Sequence, residues 1–386
     1  MPSIAAALTV LRRRLRGFRD SFEIAGGLLA GNLFDTINML VISAFSGYLV
    51  RQRGLLAVYP QLSALAGGLM LSQASRAVSL HALGAASTEF YLGGLAVSAA
   101  AGILLTAIFS SVTAVAIGLE PLTIVAAALV SLLTVLSLLT MFTWGLIVLL
   151  LRLGASPDNV LPAILTSIID TVVLILAIFA FSTISRLGSG LLLVAIVTLS
   201  LALGFTAALY DVRLTIDTSI SNLALQLIEM LAGIILSITA PLLAATGLLP
   251  VLPPLNKLAG SVAGSMASAA TTSVSLYGHY LDLQTMISSM FRATVGAIPS
   301  ALYIGVVGYI LASGGDSAAG LQTVIATLVV AVLLSLVGSL LAWLLVAASI
   351  RAGLDPDAIA MPLATSIIDL MGVLSLSAAA WIILSF

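Results

Sequence analysis

Between Leu191 and Leu209 no residue carries a charge, and runs of this kind recur along almost the whole chain. A helix needs about 20 apolar residues, each rising about 1.5 Å, to cross the hydrocarbon of a bilayer. Eleven stretches meet that need: residues 22–50, 54–80, 90–118, 121–151, 157–182, 187–209, 219–247, 248–277, 285–312, 318–350 and 356–384. Their side chains do not alternate, which excludes a barrel of strands with about 10 alternating residues each. The composition agrees. Of 386 residues, 61% are hydrophobic and 8% charged, against about 45–50% and about 25% in soluble domains. A water-soluble globule is excluded, because polar groups are too few to cover its surface. With 14 basic and 15 acidic residues, the net charge of −1 gives no basic field for nucleic acid. With no cysteine there is no disulfide, thiolate zinc site or cysteine nucleophile. The expected fold is an all-α polytopic membrane protein, in which every ionisable residue is interfacial, paired or functional.

The arginines give an orientation. Arg12, Arg13, Arg14, Arg16 and Arg19 precede the first span. If they are cytoplasmic, Arg76, Arg152, Arg213, Arg292 and Arg351 fall on the same side, and only Arg51, Arg53 and Arg186 fall outside. The expected topology is N-terminus cytoplasmic in the cell membrane. Residues 1–20 read as a basic segment on the anionic inner leaflet, and not as a secretory signal, because the apolar stretch comes before the arginines.

The chain also repeats itself. Residues 152–170 read RLGASPDNVLPAILTSIID, and residues 351–369 read RAGLDPDAIAMPLATSIID. At a shift of 199, nine of nineteen positions are identical, including Arg, Pro, Asp, Thr and Ser, which apolar helices rarely match by chance. A second match, GLLAVYPQLSALAGGLMLSQAS from Gly54 and GLLPVLPPLNKLAGSVAGSMAS from Gly247, has a shift of 193. We therefore expect a five-helix repeat at 21–183, a linking helix and loop at 184–217, and a second repeat at 218–386. Five spans are odd in number, so the single linking span makes the two repeats parallel, related by an axis along the membrane normal.

Asp170 and Asp369 are the sharpest feature. Each helix starts with a capping side chain, a proline and an acid: Ser156-Pro157-Asp158 and Asp355-Pro356-Asp357. Twelve residues past Asp158, about 18 Å along the helix, comes Asp170. Thr166 and Ser167, like Thr365 and Ser366, share the face of their aspartate. Pro162 and Pro362 free a backbone carbonyl nearby. Paired carboxylates with hydroxyl and carbonyl oxygens suit Mg²⁺, Ca²⁺ or Mn²⁺, and Mg²⁺ in particular through its water shell. The alternative is two hydrogen-bonded aspartates that hold helices together. Asp35 and Glu229, each mid-span in the first helix of its repeat, form a second pair for ion coupling or for the path, unless Lys257 neutralises them. Asp158, Asp355 and Asp357 cap helices and make an acidic cytoplasmic mouth.

The segments SPDNVLPAILTSIID and DPDAIAMPLATSIID, together with LAGGLMLSQASR at 65–76, resemble the MgtE family of magnesium channels and transporters, especially its eukaryotic solute-carrier relatives. The resemblance implies a five-helix pore module, fused here as two copies, with the family's pore aspartate falling on Asp170 and Asp369 and binding hydrated Mg²⁺. The chain departs from the family where Gly-Asn and a later Glu are usual, reading Gly67-Gly68 and Met70, then Gly260-Ser261 and Ala263. The resemblance does not extend to the family's acidic cytosolic regulatory domain, so gating by that domain is not implied.

Taken together, the sequence reads as a divalent-cation channel or transporter, most simply for Mg²⁺. The metal is substrate, with no cofactor, and the fused repeats are able to work as a monomer. A proton- or sodium-coupled exchanger using Asp35 or Glu229 is the alternative within transport. An intramembrane aspartyl enzyme would also bring two aspartates together. Its tyrosine and glycine flanks are absent, however: Ile169 and Thr171 flank Asp170, and Ile368 and Leu370 flank Asp369.

Overall fold

The computed structural model describes residues 31–82, 88–152, 157–187, 190, 213–277, 283–312, 317–352 and 356–385. Among them are ten long helices: α1 (Gly31–Arg51), α2 (Arg53–Ala82), α3 (Thr88–Ala116), α4 (Pro121–Arg152), α5 (Pro157–Leu187), α6 (Arg213–Ala245), α7 (Leu252–Tyr277), α8 (Leu283–Ala312), α9 (Ser317–Arg351) and α10 (Pro356–Ser385). No strand occurs among the described residues. The basic segment 1–20 lies outside them, as does the sixth expected span, 187–209, apart from residues 187 and 190.

The chain is an all-α, multi-pass membrane protein. Among the described residues, seven helices (α1, α4, α5, α6, α8, α9 and α10) are long and apolar enough to cross a bilayer. Their outward faces carry Met141 at 82% exposure, Phe179 and Ile238 at 68% and Trp381 at 66%. Water would penalise such a surface, whereas lipid accepts it. The exposed charges Arg51, Arg53, Glu120, Arg152 and Arg351 all sit at or beside helix ends. α2 and α7 are less apolar and hold Gln61, Ser63, Asn256 and Lys257. They are free to be so because other helices wall them: α3, α4, α5 and α6 pack on α2, while α8, α9 and α10 pack on α7.

The packing partners recur between α1–α5 and α6–α10, with one exchange. α6 packs on α10, but also on α2 and α3 of the other group. α1 does the same in reverse. It meets α7 through Asp35 and Lys257, α8 through a 2.7 Å hydrogen bond between the Thr36 and Tyr303 hydroxyls, and α5 where Thr171 donates to the Phe34 carbonyl at 3.2 Å. Each group therefore supplies its first helix to the wall of the other. The α2–α6 seam is tight. A Cβ at Gly233 would overlap the carbonyl oxygen of Ala57, and the Gln226 amide donates to the Gln61 carbonyl at 2.8 Å.

The matched segments from Gly54 and Gly247 begin in different conformations. Gly247 ends α6 with φ of 70°, its N–H returning to Ala244 and that of Leu248 to Leu243 at 3.2 and 2.8 Å. That left-handed turn suits only glycine at low cost. Gly54 is already helical, and Gln52 alone separates α1 from α2.

Candidate cation site

α5 and α10 open on Pro157 and Pro356, and each carries its aspartate 13 residues later, roughly 20 Å along the axis and near the middle of a long helix. α10 continues through Pro362 without a break, and the Thr365 hydroxyl donates to the Pro362 carbonyl at 2.9 Å. Thr166 and Thr365 are half-buried, whereas Ser167 and Ser366, one residue on, are buried. Asp170 and Asp369 lie within electrostatic reach of each other between the two groups of helices.

The two first helices bring the remaining acids to the same place. Asp35 on α1 stands beside Ser167 and in the field of Asp170. Glu229 on α6 stands beside Ser366 and Asp369 and in the field of Asp170. Ser167 and Ser366 are equivalent at the 199 shift, so Asp35 and Glu229 occupy corresponding places even though their own flanking sequences do not align. Their surroundings differ. Asp35 forms an ion pair with Lys257 at 3.0 Å, beside a cavity of about 10 Å³ that Asn32 and Ser261 help to line. That is room for one water. Glu229 is 1% exposed and faces Ser366 and Asp369, with no hydrogen bond of normal geometry to either and no basic side chain beside it among the described residues.

Two residues of the site were not picked out from the sequence. The hydroxyl of Ser63 on α2 donates to Oδ1 of Asp170. Asn256 on α7 stands beside Asp369 and donates to its backbone carbonyl at 3.2 Å. Ser63 and Asn256 are equivalent at the 193 shift. The repeat thus held the signal, in a pair of polar side chains at one aligned position. Tyr59, a turn before Ser63, is also buried within the field of Asp35, Asp170 and Asp369. Ser63→Ala removes a donor from Asp170. A hydrogen bond to a charged group contributes about 1.5–3 kcal/mol, so this variant is expected to lower the thermal unfolding midpoint of the purified chain in detergent by several degrees.

The expected mouth lies largely beyond view. Asp355 is outside the described residues, and Asp158 and Asp357 lie in the first turns of α5 and α10, with their side chains undescribed. Among the described residues no three His, Asp or Glu side chains converge closely enough to hold a bare metal ion. What the site offers is carboxylates, hydroxyls and amides spaced around a buried centre.

Neither the curated proteins nor the solved structures give a match to this chain. A family comparison does. Residues 252–379 match the model of MgtE, described as a divalent cation transporter. The match begins with α7, runs through α8 and α9 and ends within α10, so it includes Asn256, Lys257 and Asp369. The family is one of transporters, not of enzymes. Residues 252–379 of this multi-pass membrane protein are thus similar to the MgtE divalent cation transporters.

Proposed function

We propose that the chain carries Mg²⁺ across the cell membrane through a path between its two groups of helices, with Asp170 and Asp369 as the central site. One observation supports this most: two aspartates at matched positions of α5 and α10 lie in each other's field with Glu229 beside them, and Lys257 is the sole basic side chain acting on the cluster among the described residues. Uncompensated acids in a bilayer are costly and persist where a cation passes. Thr166, Ser167, Thr365 and Ser366 line the approach, and Asp158, Asp355 and Asp357 gather cations at the cytoplasmic end. In this reading residues 21–183 and 218–386 are parallel repeats joined by a helix within 184–217, the N-terminus is cytoplasmic and one chain makes one path.

Purified chain in proteoliposomes is expected to take up Mg²⁺, read with an enclosed Mg²⁺ dye, and to be inhibited by Mn²⁺ and Co²⁺ more than by Ca²⁺. Ca²⁺ prefers more oxygen ligands in a looser cage. Absence of uptake above empty vesicles would remove the proposal. The position of Glu229, buried beside Asp369 with no basic side chain facing it among the described residues, favours a second reading in which a proton or Na⁺ is exchanged for the metal. Uptake would then follow an imposed pH or Na⁺ gradient at clamped voltage, whereas a channel responds only to voltage and to the Mg²⁺ gradient.

A further inference from the structure

The two corresponding acid pairs, Asp35 with Asp170 and Glu229 with Asp369, do not stand in the same chemical state. Lys257 Nζ lies 3.0 Å from Asp35 and acts on Asp170 as well. Ser63 completes the first pair by donating to Asp170. At the 193 shift, the counterpart of Lys257 is Ala64. It is half-buried on α2 and brings no charge to the second pair. There, Oε1 and Oε2 of Glu229, Oγ of Ser366 and Oδ1 of Asn256 are buried with no hydrogen bond of normal geometry among the described residues, and their neighbours are one another and Asp369 rather than a cation. Two adjacent carboxyl groups with buried oxygens around them, and no lysine beside them, make a place where a divalent cation would offset charge that is otherwise expensive.

We infer that Lys257 is a tethered cation that permanently fills the first acid pair, and that the mobile divalent ion is seated off-centre, on Glu229 and Asp369 beside Ser366 and Asn256. This rests on the proposed transport of a divalent cation and says which half of the centre binds it. The lysine makes a symmetric-looking site one-sided. It supplies one positive charge where a second metal would otherwise compete, and it leaves a single seat in the path.

The test uses the full-length chain in nanodiscs, with Mn²⁺ as an electron paramagnetic probe and Mg²⁺ as competitor. The unaltered chain is expected to bind one Mn²⁺ that Mg²⁺ displaces. Glu229→Gln, nearly isosteric, should weaken that binding at least tenfold. Ala64→Lys should abolish it by placing a second tethered cation at the open pair. Lys257→Ala should raise the stoichiometry from one to two. Mn²⁺ affinity unchanged in both Glu229→Gln and Ala64→Lys overturns the inference, as does a stoichiometry of one in folded Lys257→Ala. Should Lys257→Ala fail to fold, the Ala64→Lys and Glu229→Gln results still decide. An unaltered chain that neither binds Mn²⁺ nor takes up Mg²⁺ overturns the transport reading itself. Binding and uptake that persist while these variants change nothing overturn only the one-sided seat.

Discussion

Asp369→Asn is expected to cut Mg²⁺ uptake by about tenfold or more, Asp170→Asn, whose carboxylate already faces Lys257, by less, and the double variant to the level of empty vesicles. For a divalent ion roughly 6 Å from a carboxylate, as a retained water layer would place it, the attraction at an effective dielectric of about 20 is about 5–6 kcal/mol. Desolvation and intervening water offset most of it. If a quarter survives, about 1.4 kcal/mol, the loss is a factor of ten in affinity. Asparagine keeps the shape of the side chain, and Ser63 and Asn256 retain a group to contact. Both variants should therefore elute as the parent protein does in size exclusion and melt within a few degrees of it. Uptake that stays unchanged in both single variants and in the double variant would remove these residues from the path.

Gly233→Leu is expected to prevent the chain from assembling. A Cβ at this position would overlap a backbone oxygen of α2, which cannot rotate away as a side chain would. Overpacking a close core costs about 1–3 kcal/mol even where side chains can adjust. Here two helix axes must separate along a seam that also holds the Gln226–Gln61 hydrogen bond. The readout is loss of the monodisperse peak in detergent. Gly145→Ala on α4 is the control. Nothing lies within 4 Å of a Cβ placed there, so it should be neutral or stabilising by roughly 0.5–1 kcal/mol through helix propensity alone. Equal behaviour of the two glycine variants would mean that the α2–α6 approach is not what holds the groups together.

The helices and the central aspartates were legible in the sequence because they rest on strong local signals: long apolar runs, opening prolines, and a repeat carried by residues that apolar helices rarely share. Ser63 and Asn256 were less visible. The shift that pairs them was readable, but a serine aligned with an asparagine in a small-residue helix looks like ordinary packing until the aspartates are seen beside both. The exchange of α1 and α6 left no trace in the sequence. Apolar periodicity states how much of a helix is buried, not against which of several similar neighbours. The correspondence of Asp35 with Glu229 was hidden for a related reason. These first helices share too few polar positions to fix a register, and their kinship shows only through Ser167 and Ser366. The pairing of Asp35 with Lys257 could be anticipated, because a chain with so few buried charges has few partners to choose from. That it leaves the second pair open could not, since it depends on which side of the centre the lysine occupies.

The exchange of first helices also sets a timetable for biosynthesis. Asp35 is made early, but its partner Lys257 follows 222 residues later. At about 5–20 residues per second, that gap lasts roughly 10–45 s on the ribosome. Throughout it Asp35 lacks the lysine that will pair with it, and α2 and α3 lack the wall that α6 will provide. The first five helices therefore lack part of their final packing until α6 and α7 have entered the bilayer. Until then the insertion machinery has to shelter an acid-bearing helix whose place in the fold has not yet been translated.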